Sequence, residues 1–370
     1  MGSATLRGAT VCSFAGQGCT TQGTAMTFFD SMPGPSFWLT IFLVSVAVLV
    51  ALALVNVVVA RMAERRHPPK GAFLDVDGVR LHYSDRGTGR PVVLVHGNAV
   101  TGGDYNTSGV AEQLLGAHHR VIIFDRPGFG YSERPRERVW TAAGQADLLH
   151  AAFLQVGVQR PIVVGHSWGT LVALALAVRH PRDVAGLVLL AGYYFPTPRL
   201  DALMVAVVTV PVLGDVLRYT LSPVFGWLTM PALKRAMFAP APMTARFEAE
   251  YSTAMALRPS QIRATAGDGT LMVPGAMELR THYGELTMPV LIMAGDGDLV
   301  VGDRQAKRLH AAIPGSTLRI VEGVGHMIHH VATRQVVDAI EDVASKAGHE
   351  APTDGGPKPS PARGHMPRNA

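Results

Sequence analysis

Six short runs of the chain are apolar at nearly every position: 92–95, 121–124, 162–164, 187–190, 290–293 and 318–321. A strand with one wet face alternates apolar and polar residues, whereas a strand apolar throughout is covered on both faces. Stretches with helical spacing separate most of these runs, at 144–155, 171–179, 303–312 and 332–346. Strand and helix in alternation predict an α/β fold over residues 72–346, with a mostly parallel sheet between helices. At its start, residues 74–83 alternate about Asp77-Gly78 and predict an antiparallel hairpin. Residues 193–287 break the rhythm. They hold no comparable strand, only apolar helical pieces punctuated by Pro211, Pro223, Pro231, Pro240, Pro242, Pro259 and Pro274, which predicts a helical cap inserted over the sheet.

A different pattern precedes the body. Residues 37–60, FWLTIFLVSVAVLVALALVNVVVA, run for 24 residues without a charge. A helix of that length spans the roughly 30 Å hydrocarbon core of a bilayer with some tilt, so a single transmembrane helix is expected. A cleaved secretory signal fits less well, because no basic residue lies closer ahead than Arg7, the run is long, and no small-x-small site follows. Arg61, Arg65, Arg66 and Lys70 come just after the run, and cytoplasmic flanks are the basic ones, so the body is expected in the cytoplasm. Residues 1–36 are expected to be an unstructured leader, 61–71 a basic linker, and 347–370, rich in Pro and Gly, a disordered tail.

Composition narrows the function. The net charge is +5, but the basic residues are scattered apart from the cluster beside the apolar run, so no nucleic-acid partner is expected. Both cysteines, Cys12 and Cys19, fall in the leader, and no disulfide framework holds the body. His326-Met-Ile-His329-His330 has no H-E-x-x-H pattern or matched carboxylate with it, and no G-x-G-x-x-G opens a helix after the first strand. No metal and no dinucleotide is expected, and the implied second reactant is water.

The candidate chemistry begins at Gly165-His-Ser-Trp-Gly169, a G-x-S-x-G between a predicted strand and a predicted helix. In that setting the motif makes a sharp turn that lifts a serine hydroxyl clear of the sheet, at a helix N-terminus whose field favours negative charge. Ser167 is the candidate nucleophile. A serine hydroxyl near neutral pH needs a histidine base, and the imidazole needs a carboxylate to fix its tautomer and stabilise its cation.

In this the chain resembles the α/β-hydrolase superfamily over about residues 72–346. The resemblance rests on the elbow, on Val95-His96-Gly97-Asn98, on Phe124-Asp-Arg-Pro-Gly-Phe-Gly-Tyr-Ser132, on Gly295-Asp-Gly-Asp298 and on Gly325-His326, in the family's order. It implies His326 as base, in a loop after the last strand, with His329 and His330 expected to cap or solvate the helix that follows. The family's spacing selects Asp298 as the acid over Asp296, a turn residue, and Asp303, a helix N-cap. It assigns the oxyanion donors to the backbone N–H groups of Asn98 and Trp168, and treats Asp125 and Arg126 as a structural turn. The stretch from His96 is also similar to haloalkane dehalogenases, which need an aspartate where this chain has Ser167. The function expected is a membrane-anchored serine hydrolase cleaving a carboxylic ester or related acyl bond of a small apolar or lipid-like substrate. The alternatives are hydrolysis of a carbon–carbon bond, as in the meta-cleavage-product hydrolases, whose sites want an arginine on the substrate carboxylate, and a ligand-binding receptor without turnover.

Overall fold

The computed structural model describes residues 34–199 and 205–348. Its sheet has eight strands in the order β1-β2-β4-β3-β5-β6-β7-β8. The hairpin forms as predicted: β1 (Ala72–Val76) pairs antiparallel with β2 (Val79–Arg86) about the Asp77-Gly78 turn, and β2 runs antiparallel to β4 (Arg120–Phe124). From β4 on, all pairs are parallel: β3 (Pro91–Val95), β5 (Ile162–His166), β6 (Gly186–Leu190), β7 (Val290–Gly295) and β8 (Thr317–Val321).

The continuous apolar runs have a direct cause. Side chains alternate faces along a strand, so Val93 and Val95 join one core while Val92 and Leu94 join another. The first core also takes the helices Ala142–Gln155 and Gly169–Arg179, and the second takes Val110–Gly116 and Thr333–Lys346. Every position of a central strand is therefore buried. The helix Gly169–Arg179 is buried from Gly169 to Ala177, which explains why its sequence shows no polar stripe.

Between β6 and β7 lies the predicted helical cap, with helices Leu213–Tyr219, Leu221–Phe238, Ala245–Glu250, Thr253–Ala256 and Pro259–Leu279 among the described residues. Its prolines do not all act as breaks. Pro259 opens a helix, where its missing N–H costs nothing, but Pro231 and Pro274 lie inside helices. Around Pro274, Leu271, Met272, Val273, Ala276 and Leu279 pack on the sheet core, which holds the helix together across the lost hydrogen bond.

The N-terminal apolar helix spans Pro35–Arg66, 32 residues, long and apolar enough to cross a membrane, and its most apolar stretch is wholly unburied. It differs from expectation at both ends. Pro35 and Ser36, assigned to the leader, begin the helix, while residues 1–33 of that leader lie outside the described residues, as do 349–370 of the expected tail. Residues 61–66, expected as linker, continue the helix, because Arg-Met-Ala-Glu-Arg-Arg are good helix formers and the first stop is Pro68-Pro69. From Val55 the helix belongs to the same compact unit as the body. There the Asn56 side chain donates to the carbonyls of Tyr219 (2.8 Å) and Thr220 (3.1 Å), and Glu64 pairs with Arg258 at 2.8 Å.

Candidate active site

β5 delivers Ser167 to the edge of the sheet. The chain then turns so tightly that Ser167 has φ +51°, a left-handed conformation that a residue with a Cβ avoids. The flanking glycines are required by space. A Cβ on Gly165 would sit 2.8 Å from the Gly169 carbonyl oxygen, and one on Gly169 would sit 2.4 Å from the Val95 carbonyl oxygen. The turn is tied to the neighbouring strand by the Ser167 N–H, which donates to the Leu190 carbonyl at 2.9 Å. Its hydroxyl stays half-buried at the start of the helix Gly169–Arg179.

His326 and Asp298 meet it from two other loops. The His326 Nε2 lies 2.9 Å from Ser167 Oγ, and its Nδ1 lies 2.9 Å from Asp298 Oδ2. The second Asp298 oxygen accepts from the N–H groups of Val300 (2.8 Å) and Val301 (3.0 Å). Burial pushes the Asp298 carboxyl up, but His326 and those N–H groups outweigh it and hold the group below the usual carboxylate value. An ionised Asp298 favours the tautomer in which Nδ1–H donates to it and Nε2 accepts the serine proton. The competing aspartates lie elsewhere: Asp296 is exposed and accepts from the Gly323 N–H at 2.8 Å, and Asp303 pairs with Lys307. Asp303 is the first residue of its helix, and Gly302, at φ +81°, holds the cap position expected of it.

The loop after β3 brings Asn98 beside the elbow. A Cβ on Gly97 would meet Ser167 Cβ at 3.1 Å. The Asn98 side chain donates to the Thr265 carbonyl of the cap at 3.0 Å, so cap and loop are joined. Among the described residues, no acceptor is found for the backbone N–H of Asn98, and Trp168 precedes its helix, where backbone N–H groups lack intrahelical acceptors.

Arg126 is the residue sequence reasoning undervalued. It is fully buried, and its guanidinium donates to the carbonyls of His96 and Gly97 (both 2.9 Å) and to Gln145 (3.0 Å) while pairing with Asp268. Asp268 also pairs with Arg134 at 2.9 Å, and its carbonyl accepts from the Trp168 indole at 2.8 Å. One buried network thus holds both segments that carry the expected oxyanion donors. Asp125 is a turn residue as expected, accepting from the N–H groups of Gly102 (2.8 Å) and Tyr131 (3.1 Å). The arginine follows Asp125 in the quoted motif, but nothing local marked Asp268 as its partner.

His329 and His330 overturn the expectation that they cap or solvate a helix. Both are buried, and their Nε2 atoms lie 2.7 and 2.8 Å from the two oxygens of Asp104. Burial would raise the Asp104 carboxyl, but His330 and His329 outweigh it and hold it well below the usual value. Burial pushes His329 down, as it does His166 behind the elbow, whose Nε2 lies 3.1 Å from the His326 carbonyl. Asp104, His166 and His329 converge closely enough to hold a cation, yet hydrogen bonding explains the arrangement: the Nε2–H groups of His329 and His330 donate to one carboxylate and fix the loop that presents His326.

A sequence profile for the alpha/beta hydrolase fold matches residues 90–333. The 2-hydroxymuconate semialdehyde hydrolase of Pseudomonas putida is 35% identical over 136 residues, 36% of this chain and 48% of that one, so the chain spans about half the length of that relative. Haloalkane dehalogenase 2 of Mycobacterium tuberculosis is 28% identical over 282 residues, 74% of this chain and 94% of that one. Among solved structures, a thermophilic esterase from Thermogutta terrifontis is similar with a TM-score of 0.57 at 21% identity, over 75% of this chain and 99% of that one.

Proposed function

Because the chain belongs to the alpha/beta hydrolase fold family, we propose that it is a membrane-anchored serine hydrolase acting on a carboxylic ester or related acyl bond of an apolar substrate. The observation that carries the reading is the unbroken relay Asp298–His326–Ser167, with 2.9 Å at each step. His326 Nε2 takes the Ser167 proton as Oγ attacks the carbonyl carbon, and Asp298 stabilises the imidazolium. The N–H groups of Asn98 and Trp168 receive the oxyanion. His326 then protonates the leaving alcohol, and water, deprotonated by the same imidazole, releases the acid from the acyl-enzyme.

Carbon–carbon hydrolysis is the second reading, favoured by the identity with the Pseudomonas enzyme. An arginine free to take a substrate carboxylate would support it, but Arg126, beside the loop, is engaged by two carbonyls, Gln145 and Asp268. A serine at position 167 argues against the dehalogenase chemistry named for the mycobacterial relative.

An apolar substrate fits the cap surface. Val212, Phe225 and Leu228 are at least 63% exposed, and the cap turn Tyr219–Thr220 is bonded to Asn56, which lies inside the uncharged run 37–60. With that run in a bilayer, Asn56 sits about 6 Å inside the end of the hydrocarbon span, four residues before Ala60, and the cap turn meets the lipid.

The test is a fluorophosphonate probe on the full-length protein. Covalent labelling is expected in the wild type and absent in Ser167→Ala, with kcat on any ester substrate falling on the order of 10³-fold or more. Equal labelling of the two proteins would remove Ser167 as the nucleophile, and no labelling of the wild type would favour a receptor.

A further inference from the structure

A cavity of about 550 Å³ lies apart from the relay; Ser167, Asp298 and His326 take no part in its wall. Its sides are the last turn of the N-terminal helix, at Glu64, the loop after β4 from Gly128 to Pro135, and the cap. Four arginines line it, Arg134, Arg218, Arg258 and Arg263, against two carboxylates, Glu64 and Glu133.

The local pairing leaves positive charge over. Arg134 is held by Asp268 at 2.9 Å and Arg258 by Glu64 at 2.8 Å. Arg218 must share one carboxylate, Asp215 at 2.7 Å, with Arg136, which holds the same group at 2.9 and 3.0 Å. Arg263 has no carboxylate within ion-pair distance among the described residues and donates only to the Arg134 carbonyl, at 3.1 Å. Burial and the charges of Arg136, Arg218 and Arg134 push its guanidinium below the ordinary arginine value. Arg218 is 7% exposed, and its buried Nε donates to nothing. A buried guanidinium donor without an acceptor is costly unless a ligand supplies one. Ser260 adds the first turn of a 21-residue helix, whose backbone donors lack intrahelical acceptors.

We propose that this cavity binds a phosphate group, supplied by the headgroup of an anionic phospholipid. Guanidinium forks match phosphate oxygens in geometry and charge, and several converge here with one cation unpaired. The lipid as source follows from position. Glu64 lies four residues beyond Ala60, the end of the uncharged run, which is about 6 Å along the helix and at headgroup depth when that run spans a bilayer. This assignment of the source rests on the membrane-anchor reading; the phosphate chemistry does not.

The experiment uses the full-length protein in dodecyl maltoside micelles, titrated with inorganic phosphate, dihexanoyl phosphatidylglycerol or dihexanoyl phosphatidylcholine while melting and binding heat are followed. Phosphatidylglycerol is expected to raise the melting temperature saturably. Its affinity should fall about tenfold in Arg263→Gln and largely return in Arg263→Lys, because one charge-assisted donor is lost and then replaced. Melting of the variants without ligand reports their fold. Absence of any response to phosphate and phosphatidylglycerol, or an unchanged affinity in Arg263→Gln, overturns the site. Inorganic phosphate as effective as the lipid, or phosphatidylcholine as effective as phosphatidylglycerol, overturns the anionic lipid as its ligand. Failure of the helix to insert in a bilayer would leave the phosphate titration untouched, so the two readings fail separately.

Discussion

Ser167 stands in a backbone conformation that glycine would adopt more easily, and the cost is on the order of 1 kcal/mol. Ser167→Gly should therefore be more stable than Ser167→Ala by about that amount, although both are inactive; melting curves with the reverse order would show that the turn stores no strain. The other members of the relay are separable by substitution. Asp298→Asn should cost several orders of magnitude in kcat with the fold intact, while Asp296→Asn, at an exposed loop contact to Gly323, should cost little. If Asp296→Asn proved the damaging change, the acid assignment would be wrong. Titration gives a further check. Burial, then the charge of Arg126, pushes His96 down to about 4, and burial first of all also lowers His166 and His329. These imidazoles are neutral in the fold but take protons in the unfolded chain below about pH 6.5, so the unfolded state binds more protons and stability must fall as pH falls. The melting temperature should drop steadily from pH 6.5 towards 4, where His96 itself titrates. Asp104 and Asp298, whose carboxyls are lowered, add their loss only below about pH 4. A melting temperature flat from pH 7 to 5 would contradict the buried neutral histidines.

Among the elements, the N-terminal helix and the cap depend on each other through polar contacts that neither sequence segment announces. The Arg258 side chain is 4% exposed and its carboxylate partner is Glu64. Glu64→Ala should lower stability by about 1–3 kcal/mol, because a buried guanidinium loses its ion pair. A body cut at His67 would suffer the same loss together with the Asn56 bonds, so its melting temperature should lie below that of the full chain. The cap's apolar exposure has its own test. Replacing Phe225 and Leu228 together by Ser should reduce turnover of bilayer-dispersed esters severalfold and leave short soluble esters unaffected. Equal effects on both substrates would make the cap a lid with no lipid contact.

For the whole molecule, the proposed membrane anchor carries a prediction of orientation from its basic flank. Arg61, Arg65, Arg66 and Lys70 would have to cross the bilayer if the body were outside, so a reporter fused after Lys346 should be protected from protease added to intact cells. Digestion of that reporter from outside would reverse the topology. The same four residues now sit on and just after a continuous helix, not a linker.

Local pattern was enough for the strands, the hairpin, the elbow and the apolar helix, because each depends on residues a few positions apart: side-chain alternation, a turn pair, two glycines about a serine, an uninterrupted apolar run. Order along the chain, with the resemblance it carries, also indicated Ser167, Asp298 and His326, since each follows a strand end and strand ends of a parallel sheet converge on one edge. Tertiary structure alone decided which buried polar groups are paired. Arg126 meets Asp268 across 142 residues, and His329 and His330 meet Asp104 across 225 and 226. Low-dielectric burial makes an unpaired polar group costly and so favours pairing, but which partner it finds depends on how distant segments pack, and no spacing in the chain encodes it.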